Sequence, residues 1–158
     1  VQILAATLNY PPARFIGSEM MTHRLLLELA AHGHDVLVLV SEGDPESAWE
    51  YEGIRIQHRT APRPRADLVI CHTDFANRAL AIARHSGAPL VGICHNAELG
   101  VQHNLDRIPF AAVIVNSESM KAQLGAEGAL VVNPPMRDHR QPAREQGRPV
   151  LADSSPAA

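Results

Sequence analysis

The chain has 158 residues and a formal net charge of −3, which allows one domain with a real core and argues against nucleic acid as the main partner, since phosphate binding needs a basic patch. Hydrophobic residues make up 46% and charged residues 20%, an ordinary composition for a soluble globular protein, and no apolar run reaches the ~18–20 residues that a membrane span requires. The sequence opens without methionine, directly in a strand-like run, and shows no signal peptide, so a cytoplasmic location is expected.

Ile3-Leu4-Ala5-Ala6-Thr7 reads as a buried strand. A loop through Pro11-Pro12 ends in Gly17-Ser18-Glu19, and a helix is expected from about Ser18 to His32. Met21, Leu25, Leu29 and Ala30 form its apolar stripe, widened by Leu26 and Leu27. Gly33 stops it, because glycine takes the left-handed conformation at low cost. Val36–Val40 is an unbroken apolar run rich in β-branched residues, suited to a strand covered on both faces. Together these make one βαβ unit, whose crossover is right-handed in nearly all proteins.

Ser41–Glu52 is polar and acidic and reads as a surface excursion. Ile54-Arg55-Ile56 alternates like a short strand, and Thr60–Arg65 is a proline-punctuated loop. Asp67–Cys71 is the next buried strand. Asp74 is placed to cap a helix from Phe75 to about His85, with Ala76, Ala79, Leu80 and Ala83 facing inward and Gly87 as its stop. Strands follow at Pro89–Cys94 and Ala111–Val115. Ser117 caps a short helix through Leu124 with Glu118 in its first turn, and Ala129–Val132 closes the pattern before Asn133-Pro134-Pro135. Residues 1–136 therefore read as one domain. Residues 137–158, rich in Pro, Arg and Ala without a periodic apolar face, read as a mobile linker or tail.

Strands that alternate with helices and are mostly continuous in apolar residues predict a doubly wound, mostly parallel α/β sheet of about seven strands with helices on both faces. In such sheets ligands bind beyond the carboxyl ends of the strands. Asn9 and Tyr10, Cys71 and His72, His95 and Asn96, and Asn116 and Ser117 all fall there, a polar edge on an apolar sheet. The helix at Ser18 points its free N–H groups at the same place.

Several bland readings stand beside these. Gly17-Ser18-Glu19 reads equally well as a helix cap with an acid in the first turn, or as a cap that also meets a phosphate or a sugar. By spacing alone His95 is a hydrogen-bonded strand-end histidine without a role, and His72 is open. Asp35 and Asp67 begin strands at the wrong sheet end for chemistry. Cys71 and Cys94 read as free packed thiols of a reducing compartment. Nine histidines invite a metal, but no His-x-x-x-His or Cys-x-x-Cys pair occurs, so none is expected.

The order of these features resembles the N-terminal, acceptor-binding half of a GT-B glycosyltransferase. The resemblance is to the retaining group that includes sucrose-phosphate synthases and bacterial mannosyltransferases. It rests on Pro11-Pro12, Gly17-Ser18-Glu19, Gly33-His34-Asp35-Val36, Ile70-Cys71-His72, Cys94-His95, Asn116-Ser117-Glu118 and Asn133-Pro134-Pro135, and it covers about Gln2 to Met136. It implies a single Rossmann-like domain, one half of the GT-B fold, and transfer of a sugar from a nucleotide-sugar substrate to an acceptor without a cofactor or metal. It further implies that His95 is catalytic, contacting the transferred sugar or the acceptor. Asn9, Gly17, Ser18, Glu19, His72, Asn96, Ser117 and Glu118 would bind donor or acceptor.

Two departures matter. Ser18 stands where the family has a second glycine, which crowds the approach of a diphosphate and adds a hydroxyl. The family's C-terminal donor-binding domain has no counterpart here, because residues 137–158 are too few to form one. The expected partners are a nucleotide sugar, a small-molecule acceptor, and a domain or chain supplying the donor half, without which the chain would be inactive. The alternative is a non-catalytic module that binds a sugar, a nucleotide or another protein.

Overall fold

The structure is a computed structural model that describes residues 1–13, 17–59, 65–97 and 104–133. Most of the expected loop at 60–65, the Pro134-Pro135 turn, Glu98 and the tail at 137–158 lie outside the described residues.

The architecture is α/β. Eight strands form one mixed, mostly parallel sheet: β1 (Gln2–Thr7), β2 (Asp35–Val40), β3 (Ala48–Tyr51), β4 (Ile54–His58), β5 (Leu68–His72), β6 (Leu90–Cys94), β7 (Ala112–Val115) and β8 (Leu130–Val131). Their spatial order is β3-β4-β2-β1-β5-β6-β7-β8. Every pairing is parallel except β3 with β4. Helix α1 (Gly17–Ala31) joins β1 to β2. A 3₁₀ turn (Thr73–Phe75) and α2 (Ala76–Ser86) join β5 to β6, and α3 (Glu118–Leu124) joins β7 to β8.

The expectation of about seven strands, with 41–52 as a solvated excursion, is corrected by β3. Ala48-Trp49-Glu50-Tyr51 alternates small or charged with aromatic residues, the two-residue period of a strand, inside an otherwise acidic segment. Trp49 and Tyr51 pack on the core that α1 covers. Glu52 (φ 47°) and Gly53 (φ 82°) both take the left-handed conformation, which a two-residue hairpin turn between right-twisted strands requires.

Alternation along the strands sorts the core into two faces. Ile3, Ala5, Val36, Val38, Val40, Ile54, Ile56 and Ile70 meet α1 through Met21 and Leu26. Leu4, Ala6, Leu39, Val69 and Cys71 meet α2 through Ala76, Ala79, Ile82 and Ala83. Fully burying one such large aliphatic side chain contributes ~1.5–3 kcal/mol relative to leaving it exposed, so the β1, β2 and β5 runs hold the fold. On the α2 side Gly92 makes room for Phe110, whose ring would lie 2.8 Å from a Cβ at that position.

Helix ends follow local chemistry with one correction. Gly87 (φ 66°) and Gly125 (φ 60°) close α2 and α3 in the left-handed conformation. The cap expected from Asp74 is not formed. The chain enters α2 through the 3₁₀ turn, and the residue at the cap is Phe75, which makes no side-chain bond. No described helix is long and apolar enough to cross a membrane.

Candidate functional site

The strand order reverses direction between β1 and β5. β1 leads through α1 to β2 on one side, and β5 leads through α2 to β6 on the other. At such a switch point the two connections leave on opposite faces and open a crevice beyond the carboxyl ends of the strands. Residues from β1, β5 and β6 and the first turns of α1 meet there.

His72 ends β5 and is 8% exposed. Its Nε2 shares a 2.8 Å hydrogen bond with Thr22 Oγ1 on α1. Its ring meets that of His95, which follows β6, edge to face, with centroids 4.6 Å apart and planes at 79°. Burial first, and His95 second, push the His72 imidazole down to about 4, against an opposing pull from Glu19. Burial likewise holds His95 below the ordinary histidine range, again opposed by Glu19. Both rings are therefore neutral at pH 7, and the Glu19 carboxylate acts on both. Glu19 is itself buried, and its Oε2 accepts a 2.5 Å bond from Ser18 Oγ.

Three buried polar atoms at this end of the sheet have no hydrogen-bond partner: Asn9 Nδ2, His95 Nε2 and Asn96 Oδ1. Asn9 is 9% exposed and follows β1, where Thr7 Oγ1 donates to its carbonyl at 2.7 Å. Asn96 accepts a 3.0 Å bond at its carbonyl from the Cys94 thiol. Leaving a buried donor or acceptor unpaired costs ~1–3 kcal/mol each. Three such atoms, one after β1 and two after β6 on either side of β5, mark a place where a ligand, not the protein, completes the bonding.

The expected site residues divide accordingly. Glu19, His72 and His95 are brought together, with Asn9 and Asn96 on the flanking strand ends. Gly17 and Ser18 form the first turn of α1, and Ser18 is occupied with Glu19. Ser117 and Glu118 share the sheet end but follow β7, one strand further out than β6, which His95 follows. The Ser117 hydroxyl accepts from Met120 N at 3.1 Å, as the helix cap expected, and donates to Asn116 Oδ1 at 3.2 Å. Glu118 is exposed.

Thr22 and His23 were not expected in this role. They are polar residues between Met21 and Arg24 in the second turn of α1, yet both are 1% exposed. The Tyr10 hydroxyl and His23 Nδ1 lie 2.8 Å apart, and His23 Nε2 lies 3.0 Å from Glu52 Oε2. Burial, then Glu52 and Tyr51, push the Tyr10 phenol up. The bonding that satisfies the group is therefore Tyr10 O–H donating to Nδ1 and Nε2–H donating to Glu52. This chain fastens the segment after Asn9 to α1 and to the β3–β4 turn. A second fastening is the 3.3 Å bond from Trp49 Nε1 to the Pro11 carbonyl.

A cavity of about 700 Å³ opens elsewhere, toward the amino ends of β1 and β2 and beside β3 and β4. Its polar rim includes the Asp35–Arg55 ion pair at 2.6 Å. As expected, Asp35 and Asp67 serve structure there, and Asp67 accepts from Gln2 N at 2.8 Å. Cys71 and Cys94 are free and buried. Burial pushes the Cys71 thiol up to about 12, with Asp74 adding to it, which makes it a poor nucleophile. No group of three or more His, Cys, Asp or Glu side chains among the described residues is placed to hold a metal ion.

No protein-family model matches the chain, and no curated protein is significantly similar to it.

The two neutral imidazoles fix a pH dependence. Between the ordinary histidine value near 6.5 and about 4, the unfolded chain binds a proton at His72 that the folded chain does not. Stability is therefore complete above about pH 6.5 and falls as pH drops toward 4, by up to ~1.4 kcal/mol per pH unit for one such group, and His95 adds to it with the same sign. Urea unfolding at about pH 7 and about pH 4.5 checks this, with His72→Gln expected to flatten part of the slope. An unchanged stability across that window would contradict a buried neutral His72.

Proposed function

We propose that this domain is the acceptor-binding half of a GT-B sugar transferase with a Rossmann-like fold, acting on a nucleotide-sugar donor. The observation that carries the reading is the set of three unpartnered buried polar atoms beside Glu19, His72 and His95 at the switch point of the sheet. A sugar is recognised by several hydrogen bonds to its hydroxyls in a partly water-free cleft, and this set offers donors and acceptors with no cationic partner of their own.

In this reading His95 Nε2 is the group that touches the reacting sugar or the acceptor hydroxyl. It is neutral, so it can accept or donate a proton at that atom. His72, held by Thr22, backs the His95 ring and fixes its orientation. Glu19, Asn9 and Asn96 bind hydroxyls. The departing diphosphate is stabilised by cationic groups supplied from a second domain or another chain. Transition-state stabilisation then needs groups on both sides of the cleft, so residues 1–158 alone are expected to bind sugars weakly and to transfer none.

Ligand-observed NMR of the chain against monosaccharides, disaccharides and nucleotide sugars tests the reading. Weak saccharide binding that Asn9→Ala removes is the expected result. Failure of every saccharide to bind, or binding that ignores Asn9→Ala, would reject it.

A further inference from the structure

We propose that the acceptor held by this cleft is an uncharged, hydroxyl-rich group, and that the Glu19 carboxylate excludes acceptors carrying a phosphate. This rests on the reading of the cleft as a sugar site and narrows it to one ligand chemistry.

The bonding needs of the site are mixed. Asn9 Nδ2 is a donor that requires an acceptor, and Asn96 Oδ1 is an acceptor that requires a donor. His95 Nε2 serves either way according to its tautomer. Glu19 is a buried acceptor with Ser18 on one oxygen. A hydroxyl both donates and accepts, so a group with several neighbouring hydroxyls satisfies all four. A phosphate at neutral pH offers only acceptors. It would serve Asn9 and leave the lone pairs of Asn96 and Glu19 facing its own.

Charge points the same way. The first turn of α1, with its free N–H groups, is where a phosphate would otherwise sit. Here that turn carries its own buried anion. Burial and Glu19 act on both imidazoles and His95 acts on His72 as well, and no lysine or arginine among the described residues joins them. Among the described residues the cleft therefore presents an anion without a matching cation.

The dimensions agree with a monosaccharide. Asn9, His72 and His95 lie at the ends of the adjacent strands β1, β5 and β6. Two strand spacings give ~10 Å between the outer strands, which a single sugar ring with its hydroxyls spans.

The test is calorimetric titration of the full chain with D-mannose and with D-mannose 6-phosphate, repeated on Glu19→Gln. The unmodified chain is expected to bind the uncharged sugar at least about tenfold more tightly, as one like charge at close range in a partly buried site provides. Glu19→Gln keeps the shape and an acceptor for Ser18, and it is expected to bring the two affinities within about threefold. Thermal unfolding confirms that this variant stays folded. Equal or tighter binding of the phosphorylated sugar by the unmodified chain overturns this inference and leaves the sugar-site reading standing. A discrimination that persists undiminished in folded Glu19→Gln also overturns it, because the selecting charge would then lie elsewhere. Binding of neither sugar overturns both.

Discussion

His23→Ala is expected to cost ~3–5 kcal/mol of stability, the range for removing a buried ring, because it opens a cavity and strands a buried hydroxyl together. His23 is 1% exposed and Tyr10 is 0% exposed, so water cannot replace the lost bond to the Tyr10 phenol without opening the core. Domains of this size have ~5–15 kcal/mol in all, so the variant should unfold at much lower denaturant. The series around it discriminates the cause. Tyr10→Phe, which leaves His23 Nδ1 without its 2.8 Å partner, should cost ~1–3 kcal/mol. Glu52→Gln should cost under ~1 kcal/mol, since the Glu52 side chain is 56% exposed and exposed pairs contribute little. Chemical denaturation of the three variants checks the order. A His23→Ala domain as stable as Glu52→Gln would show that the buried chain holds nothing.

His95→Ala is expected to leave stability nearly unchanged and to weaken binding. Its Nε2 is buried without a partner, so deletion removes an unmet bonding need along with the packing of the ring against His72. The two effects oppose, and stability should change by less than ~1 kcal/mol in either direction. Saccharide affinity, in contrast, should fall by at least about tenfold, the loss expected when one good hydrogen bond to a ligand is removed. Unfolding and binding measured on one preparation separate the outcomes. A variant that loses stability and affinity together would make His95 a structural residue, which is the bland reading its place after a strand suggests.

Much of the scaffold is legible in the residues themselves. Ile3–Thr7, Val36–Val40 and Val69–Cys71 are apolar runs that serve as strands only when both faces are covered, and that requirement fixes helices on either side. Gly87 and the Ser117 cap mark helix ends by local chemistry that distant contacts do not override. β3 was not legible, because Trp49 and Tyr51 sit among acidic residues and their alternation is only four residues long. The site divides in the same way. His72 and His95 could be placed at one sheet end by counting strands, but their contact depends on β5 and β6 being neighbours, which follows from the strand order. Glu19 reads equally as a first-turn acid that stabilises the helix without a ligand and as a ligand contact, and only the folded structure shows that it is buried. The Tyr10–His23–Glu52 chain joins residues 13 and 29 positions apart. No local spacing rule carries a bond of that kind.

The most direct measurement of the central proposal is the imidazole ¹⁵N–¹H spectrum of the full chain during titration with D-mannose. Nε2 of His95 has no partner in the folded chain, so a sugar hydroxyl that supplies one must change its resonance. The ring of His72 should follow through the edge-to-face contact. Exposed histidines far from the sheet end, such as His32 and His85, should not move. The account predicts saturable shifts confined to His72 and His95, and their loss in Asn9→Ala. Unmoved His95 resonances at concentrations where the sugar is bound, or no binding at any concentration, would contradict it.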